Sequence, residues 1–274
     1  MEIIGRVAIV TGGAGLVGKA FCESLVKKGA KVCIADVNQD EAATVADTYN
    51  KQYENGCCIP VQCDVTSDAS IKALFDTTAT KLGKPYILVN CVAVFDEFNW
   101  RKTVDVNLVG VYNLTLIGLE RMGRDKGGNG GVIINVSSKA AFQRFIPMPM
   151  YSATKAGLES FTLTWAHSMN FKKHGVRLNI IAPEGVQVPE ENKEQRRRPA
   201  MYHADVVSPL LAKSSLVAAE NVAAGLIELL EDDTKNGAIL DVGPDGARYR
   251  EPTPCLPPRM KTEKCSWTLY QRFT

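Results

Sequence analysis

"TGGAGLVG", residues Thr11 to Gly18, stands between the apolar run Val7-Ala8-Ile9-Val10 and the helical pattern "KAFCESLVKKGA". A strand that turns through glycines into a helix is the local context of a loop built around a dinucleotide. Glycines at 12, 13, 15 and 18 let the backbone turn sharply and approach a pyrophosphate. The helix that follows offers free N–H groups and the positive end of its dipole. Gly18 allows close packing of helix on sheet. The spacing is TGxxGxxG, with Leu16 where many such loops carry glycine. Gly12, Gly15, Leu16 and Val17 are therefore the expected cofactor contacts here, a bare glycine-rich turn being the other reading.

Outward from this loop, short β-branched runs alternate with helical patterns: "VAIV", "KVCIAD", "CIPVQCDV", "YILVN", "GVIINVS", "VRLNIIAP" and "AILDVG". This alternation predicts a single-domain, doubly wound α/β fold with a mostly parallel seven-stranded sheet over residues 1–250. Ligands of such sheets bind beyond the carboxyl ends of the strands. Asp36 ends the second strand. A carboxylate there can accept hydrogen bonds from both ribose hydroxyls of NAD and repels the additional phosphate of NADP, although the same residue could be a helix N-cap. The "GGNGG" at 127–131 comes after a helix and before a strand, the reverse order, and is a helix stop.

The 274 residues are 45% hydrophobic and 23% charged with net charge +2, a globular composition without the basic excess expected of a nucleic-acid partner. No membrane span or leader pattern is evident, so a cytoplasmic protein is expected. Eight cysteines lie mostly in apolar runs without zinc-type pairs and are expected to be buried, reduced thiols. His167, His174 and His203 are scattered, and no metal site is expected. Residues 184–216 form a long polar insertion after the sixth strand, expected to act as a substrate lid, with Arg196, Arg197 and Arg198 as its basic run. Its Val186, Val188, Met201, Tyr202, Val206, Val207, Leu210 and Leu211 could meet an apolar substrate. The Pro-rich tail, 251–274, is expected to be irregular.

Among eight tyrosines only Tyr151 has a lysine four residues on, Lys155. Helical spacing puts both on one face. An ammonium beside the ring would favour phenolate and bring the phenol towards working pH, making Tyr151 a general base. Ser137 and Ser138 end the fifth strand, where a hydroxyl reaches the sheet's carboxyl edge.

In order along the chain, the glycine loop, Asp36, "CDVT" with Asp64, "ILVN" with Asn90, "VNLVG" with Asn107, "INVSS" and "YSATK" resemble the short-chain dehydrogenase/reductase family over about residues 5–245. Within it, "NWRKTVDVNLVGVY", "GGNGGVIINVSS" and "LIELLEDDTKNGAI" are similar to the branch that oxidises hydroxyprostaglandins with NAD. The resemblance implies a Rossmann-type fold, NAD as cofactor, a secondary alcohol or ketone substrate that is apolar, and a homodimer or homotetramer. It implies that Ser138 holds the substrate oxygen, Tyr151 takes its proton, Lys155 lowers the phenol and binds the nicotinamide ribose, and Asn107 supports a water chain to Lys155. It also puts Asp64, Val65, Asn90 and Pro183 at the cofactor. Departures from the family pattern are Leu16, Cys91, Ala93, Glu184 and Val188 around the cofactor, and Met148 near the tyrosine. They support a second reading, a dehydrogenase fold that binds an apolar molecule with weak or no turnover. Glu184 could stabilise the cationic nicotinamide or obstruct its entry.

Overall fold

The computed structural model of the chain describes residues 2–143, 145–188, 200–206 and 215–252. Its strands are β1 (Val7–Thr11), β2 (Lys31–Asp36), β3 (Cys58–Gln62), β4 (Pro85–Asn90), β5 (Gly131–Val136), β6 (Val176–Pro183), β7 (Ile239–Gly243) and β8 (Gly246–Arg250). They form one sheet in the order β3-β2-β1-β4-β5-β6-β7-β8, parallel up to β7. Every residue of β1, β5 and β6 is buried. That continuous burial is what a central parallel strand covered by helices on both faces produces.

The eighth strand corrects the expected seven. β8 pairs antiparallel with β7 through a tight turn at Pro244-Asp245. Its "GARYR" is largely exposed and short, and the single Ala247–Tyr249 alternation between arginines is too weak a pattern to announce it. The "GPDG" before it is a turn signal that could have done so.

The helices are α1 (Leu16–Lys27), α2 (Gln39–Gln52), α3 (Asp68–Lys81), α4 (Trp100–Val104), α5 (Val111–Met122), α6 (Pro149–Trp165), α7 (Ser168–His174) and α8 (Ala219–Glu231). Buried side chains of α1, α2 and α8 share one apolar cluster with β1, β2 and β4, and those of α3 and α5 share a second on the opposite face. Asn38 caps α2 by accepting from Glu41 N at 3.3 Å, which leaves Asp36 free of that task. Between α4 and α5 the helix widens into a π-helical segment, Asp105–Gly110, a distortion that often accompanies functional sites. Because β1 leads to β2 on one side while β4 lies on its other side, a crevice opens above the β1–β4 boundary. Gly127 and Gly130 both adopt positive φ, consistent with the helix stop expected there.

Candidate active site

A cleft of about 2420 Å³ runs along the carboxyl edge of the sheet. At one end it is lined by Gly12, Gly15, Leu16, Val17, Asp36, Asp64 and Val65, and at the other by Ser138, Tyr151, Lys155 and Pro183. Folding thus brings together residues from six strand ends and α6.

The first end is made mainly of backbone. Gly12 has φ +65°, and a Cβ there would lie 2.9 Å from Val92 Cα. A Cβ at Gly18 would come within 2.1 Å of the Gly12 carbonyl oxygen, so close packing excludes any side chain. Above Gly15 the space is open apart from the Gly12 carbonyl oxygen at 3.2 Å, leaving a cradle for a close-approaching group. Gly15 is also the N-cap of α1, so the free N–H groups of the first turn face the cleft end. Leu16 opens that turn as a half-buried wall residue, and the backbone cradle persists without a third glycine at this place. Asp36 Oδ2 accepts from Ala14 N at 3.1 Å and Oδ1 from Asn38 N at 3.1 Å. The carboxylate is tied to the rim of the loop with further lone pairs available. These features fit a pyrophosphate and a ribose diol. Asp64 accepts from both Thr66 N and Thr66 Oγ1, at 2.9 and 2.7 Å, and the hydroxyl bond holds its carboxyl below the usual range.

At the second end, Ser138 extends β5 and accepts from Ala140 N at 3.2 Å. Tyr151 lies in the first turn of α6 and is buried, with Phe95 tilted against its ring at a centroid distance of 4.8 Å. Lys155, one turn on, donates to the Val136 carbonyl at 2.7 Å, and its Nζ is 5.7 Å from the Tyr151 ring centroid. The net direction at Tyr151 is opposite to the expected lowering: burial pushes the phenol up to about 12, partly opposed by a hydrogen bond with Ser138. Burial also brings Lys155 down to about 8. Desolvation penalises the charged form of both groups, and the ammonium is directed at a carbonyl.

Two predicted site residues lie beneath the cleft and do not line it. Asn90 is buried, donating to Asn135 Oδ1 at 2.8 Å and Thr115 Oγ1 at 3.2 Å, and so ties β4 to β5 and α5. Asn107, fully buried in the π-helical segment, grips Val94 from both sides: it accepts from the Val94 N–H at 2.8 Å and donates to its carbonyl at 2.9 Å. Its side chain shapes the loop after β4. Cys91, Val92 and Ala93 line the cleft beside it, and burial pushes the Cys91 thiol up to about 12, far from a reactive thiolate.

Glu97 and Lys139 were not legible as site residues. Glu97 is buried and accepts from Met150 N at 2.9 Å and Tyr151 N at 2.8 Å, so a carboxylate caps the helix that carries the tyrosine. Its own N–H donates to the Ala200 carbonyl at 2.8 Å, joining the loop after β4 to the insertion. Met201 packs with Met148, Tyr151 and Phe145 in an apolar cluster. Val186 and Val188 also line the cleft, Tyr202 meets Phe98 edge-on, and Val206 is exposed. Lys139 pairs with Glu184, so Glu184 does not present an isolated charge. Arg196 to Arg198, Val207, Leu210, Leu211 and most of the tail lie outside the described residues. Among the described residues no helix is long and apolar enough to cross a membrane, and no group of three or more His, Cys, Asp or Glu is placed to hold a metal ion.

With this fold and this cleft, the chain belongs to the short chain dehydrogenase family, whose model matches residues 6–199. It is 36% identical over 245 residues to a 15-hydroxyprostaglandin dehydrogenase [NAD(+)] of Rattus norvegicus, covering 88% of this chain and 92% of that protein. The corresponding protein of Mus musculus is 37% identical, with 88% and 91% covered. A 3-hydroxyacyl-CoA dehydrogenase type-2 of Bos taurus is 33% identical over 199 residues, 66% of this chain and 74% of its own.

Proposed function

We propose that this protein is an NAD-dependent oxidoreductase that interconverts a secondary alcohol and its ketone, with a hydroxylated lipid such as a prostaglandin as the substrate type. The observation that carries it is Ser138, Tyr151 and Lys155 on one wall of a cleft whose other end holds the glycine cradle and Asp36. When bound, NAD supplies the hydride acceptor at nicotinamide C4. Ser138 Oγ holds the substrate oxygen, and Tyr151 takes the hydroxyl proton as the carbinol C–H bond breaks and the carbonyl forms. With its phenol at about 12, Tyr151 is a proton donor at neutral pH. Alcohol oxidation therefore accelerates towards alkaline pH, where phenolate becomes populated, and ketone reduction is favoured towards neutrality.

Gly12, Gly15, Leu16 and Val17 would hold the pyrophosphate, Asp36 the adenosine ribose, Asp64 and Val65 the flank of the adenine, and Pro183 the nicotinamide side. Asn90 and Asn107 would act from below by fixing the strands and the loop that carry these contacts. Met148, Met201, Phe95 and Phe145 make the substrate end apolar. The reading as an inactive binder is not favoured, because the polar set at the reacting end is complete. The same family reading makes residues 1–250 one catalytic unit and a homodimer or homotetramer the assembly; Val109 and Leu116, apolar and exposed on the π-helical segment and α5, suit such a contact. Six free cysteines among the described residues suit a reducing, cytoplasmic location.

The test is calorimetric titration with NADH and NADPH, followed by a panel of hydroxy-lipids and secondary alcohols with NAD. Tighter NADH binding and alcohol-dependent NADH formation are expected. Binding of neither nucleotide by folded, ligand-free protein would overturn the proposal.

A further inference from the structure

Lys139 follows Ser138 in the chain, and Glu184 follows Pro183. Their side chains pair across the reacting end of the cleft, 31% and 22% exposed, so each charge is partly withdrawn from water. Glu184 is held in place by its own N–H, which donates to the Val242 carbonyl at 2.9 Å. Its side chain lies over Gly243, where a Cβ would come within 2.8 Å of Oε1. A carboxylate is therefore accommodated here by three separate features: a lysine partner, a backbone anchor and a glycine opposite.

Among the described residues, the surrounding charges do not share this pair. Arg250 is engaged by Asp241 and Glu159, and Lys155 is bonded to the Val136 carbonyl. Arg248 and Asp241 face the pair only across an adjoining cavity of about 330 Å³.

We infer that Lys139 and Glu184 set the preference of the site for oxidised over reduced nicotinamide, Glu184 favouring the cationic ring and Lys139 offsetting it. The inference rests on the NAD-dependent reading above. The hydride acceptor has to meet the carbon whose oxygen Ser138 and Tyr151 hold, and so belongs to the end of the cleft that this pair lines. The oxidised ring carries a positive charge and the reduced ring none. A change of charge beside it alters the two affinities unequally, whereas a change of shape alters them together.

Dissociation constants for NAD⁺ and NADH, measured by calorimetry on wild type, Lys139→Met, Glu184→Gln and the double variant, test this directly. Lys139→Met unmasks the carboxylate and is expected to raise the ratio Kd(NADH)/Kd(NAD⁺) roughly fivefold, while Glu184→Gln lowers it by a similar factor. The double variant should return to within about twofold of wild type, because removing both charges removes the coupling. A ratio that stands still in both single variants, or moves the same way in both, overturns the inference while leaving the dehydrogenase reading intact. Failure of the wild type to bind either nucleotide overturns both.

Discussion

The two ends of the cleft are built by different means. The glycine end is made by one strand, one loop and one helix adjacent in sequence, and its shape is backbone shape: the positive φ of Gly12, the contact that leaves no room for a side chain at Gly18, and the free N–H groups of α1. The reacting end is made by side chains from β5, α6, the end of β6 and the loop after β4. The first kind of construction tolerates Leu16 because the side chain turns to the wall and the backbone stays. In the second, one side chain's place depends on the others. Glu184 is accompanied by Lys139 and by the vacant side-chain position at Gly243.

Substitutions sharpen this contrast. Tyr151→Phe should lower turnover roughly 10³-fold, the range for loss of a proton-transfer group, with NADH affinity nearly unchanged. An equal loss of affinity would mean that the ring shapes the cofactor site more than it serves the chemistry.

Gly18→Ala should be the largest insult at the other end. Its Cβ meets the Gly12 carbonyl, which has nowhere to move without distorting the loop, so about 2–3 kcal/mol of stability is expected to be lost, as for overpacking elsewhere. Urea unfolding reads this, and an unchanged midpoint would show that the loop yields easily.

Lys155 adds a pH dependence to stability. Its folded value of about 8 lies below the ordinary 10.5, so between these limits the unfolded chain binds more protons and the unfolding free energy rises with pH. From pH 8 to pH 10.5 the lysine is expected to contribute a rise of about 2 kcal/mol, which Lys155→Met removes. Parallel pH profiles for wild type and variant would place the ammonium in a wetter setting than its burial implies.

Asp36→Ala should have a smaller effect than these, narrowing the preference for NADH over NADPH about tenfold through loss of charge-assisted hydrogen bonds to the ribose. The comparison of two calorimetric titrations measures it. An unaltered preference would assign selectivity to other residues at the rim.

What could be read in advance follows the same division. Alternating strands and helices, the glycine loop, Asp36 at a strand end and the Tyr151–Lys155 spacing are local patterns, each confined to a few residues whose geometry the backbone period dictates. β8 escaped because an exposed five-residue edge strand with one Ala247–Tyr249 pair carries too little apolar pattern. Asn90 and Asn107 were expected at the cofactor and the reacting lysine, yet their side chains serve hydrogen bonds under the cleft and do not line it.

The chain by itself determined the doubly wound α/β architecture, the strand-to-helix cradle and the tyrosine–lysine pair, because these depend on neighbours within one or two turns. Only tertiary structure decided that Glu97 caps the helix of Tyr151 from 54 residues away and that Lys139 meets Glu184 across 45. It also decided the direction in which Tyr151 and Lys155 are shifted. Spacing places two groups side by side, but burial sets the cost of charging them, and burial is a property of everything packed around the site.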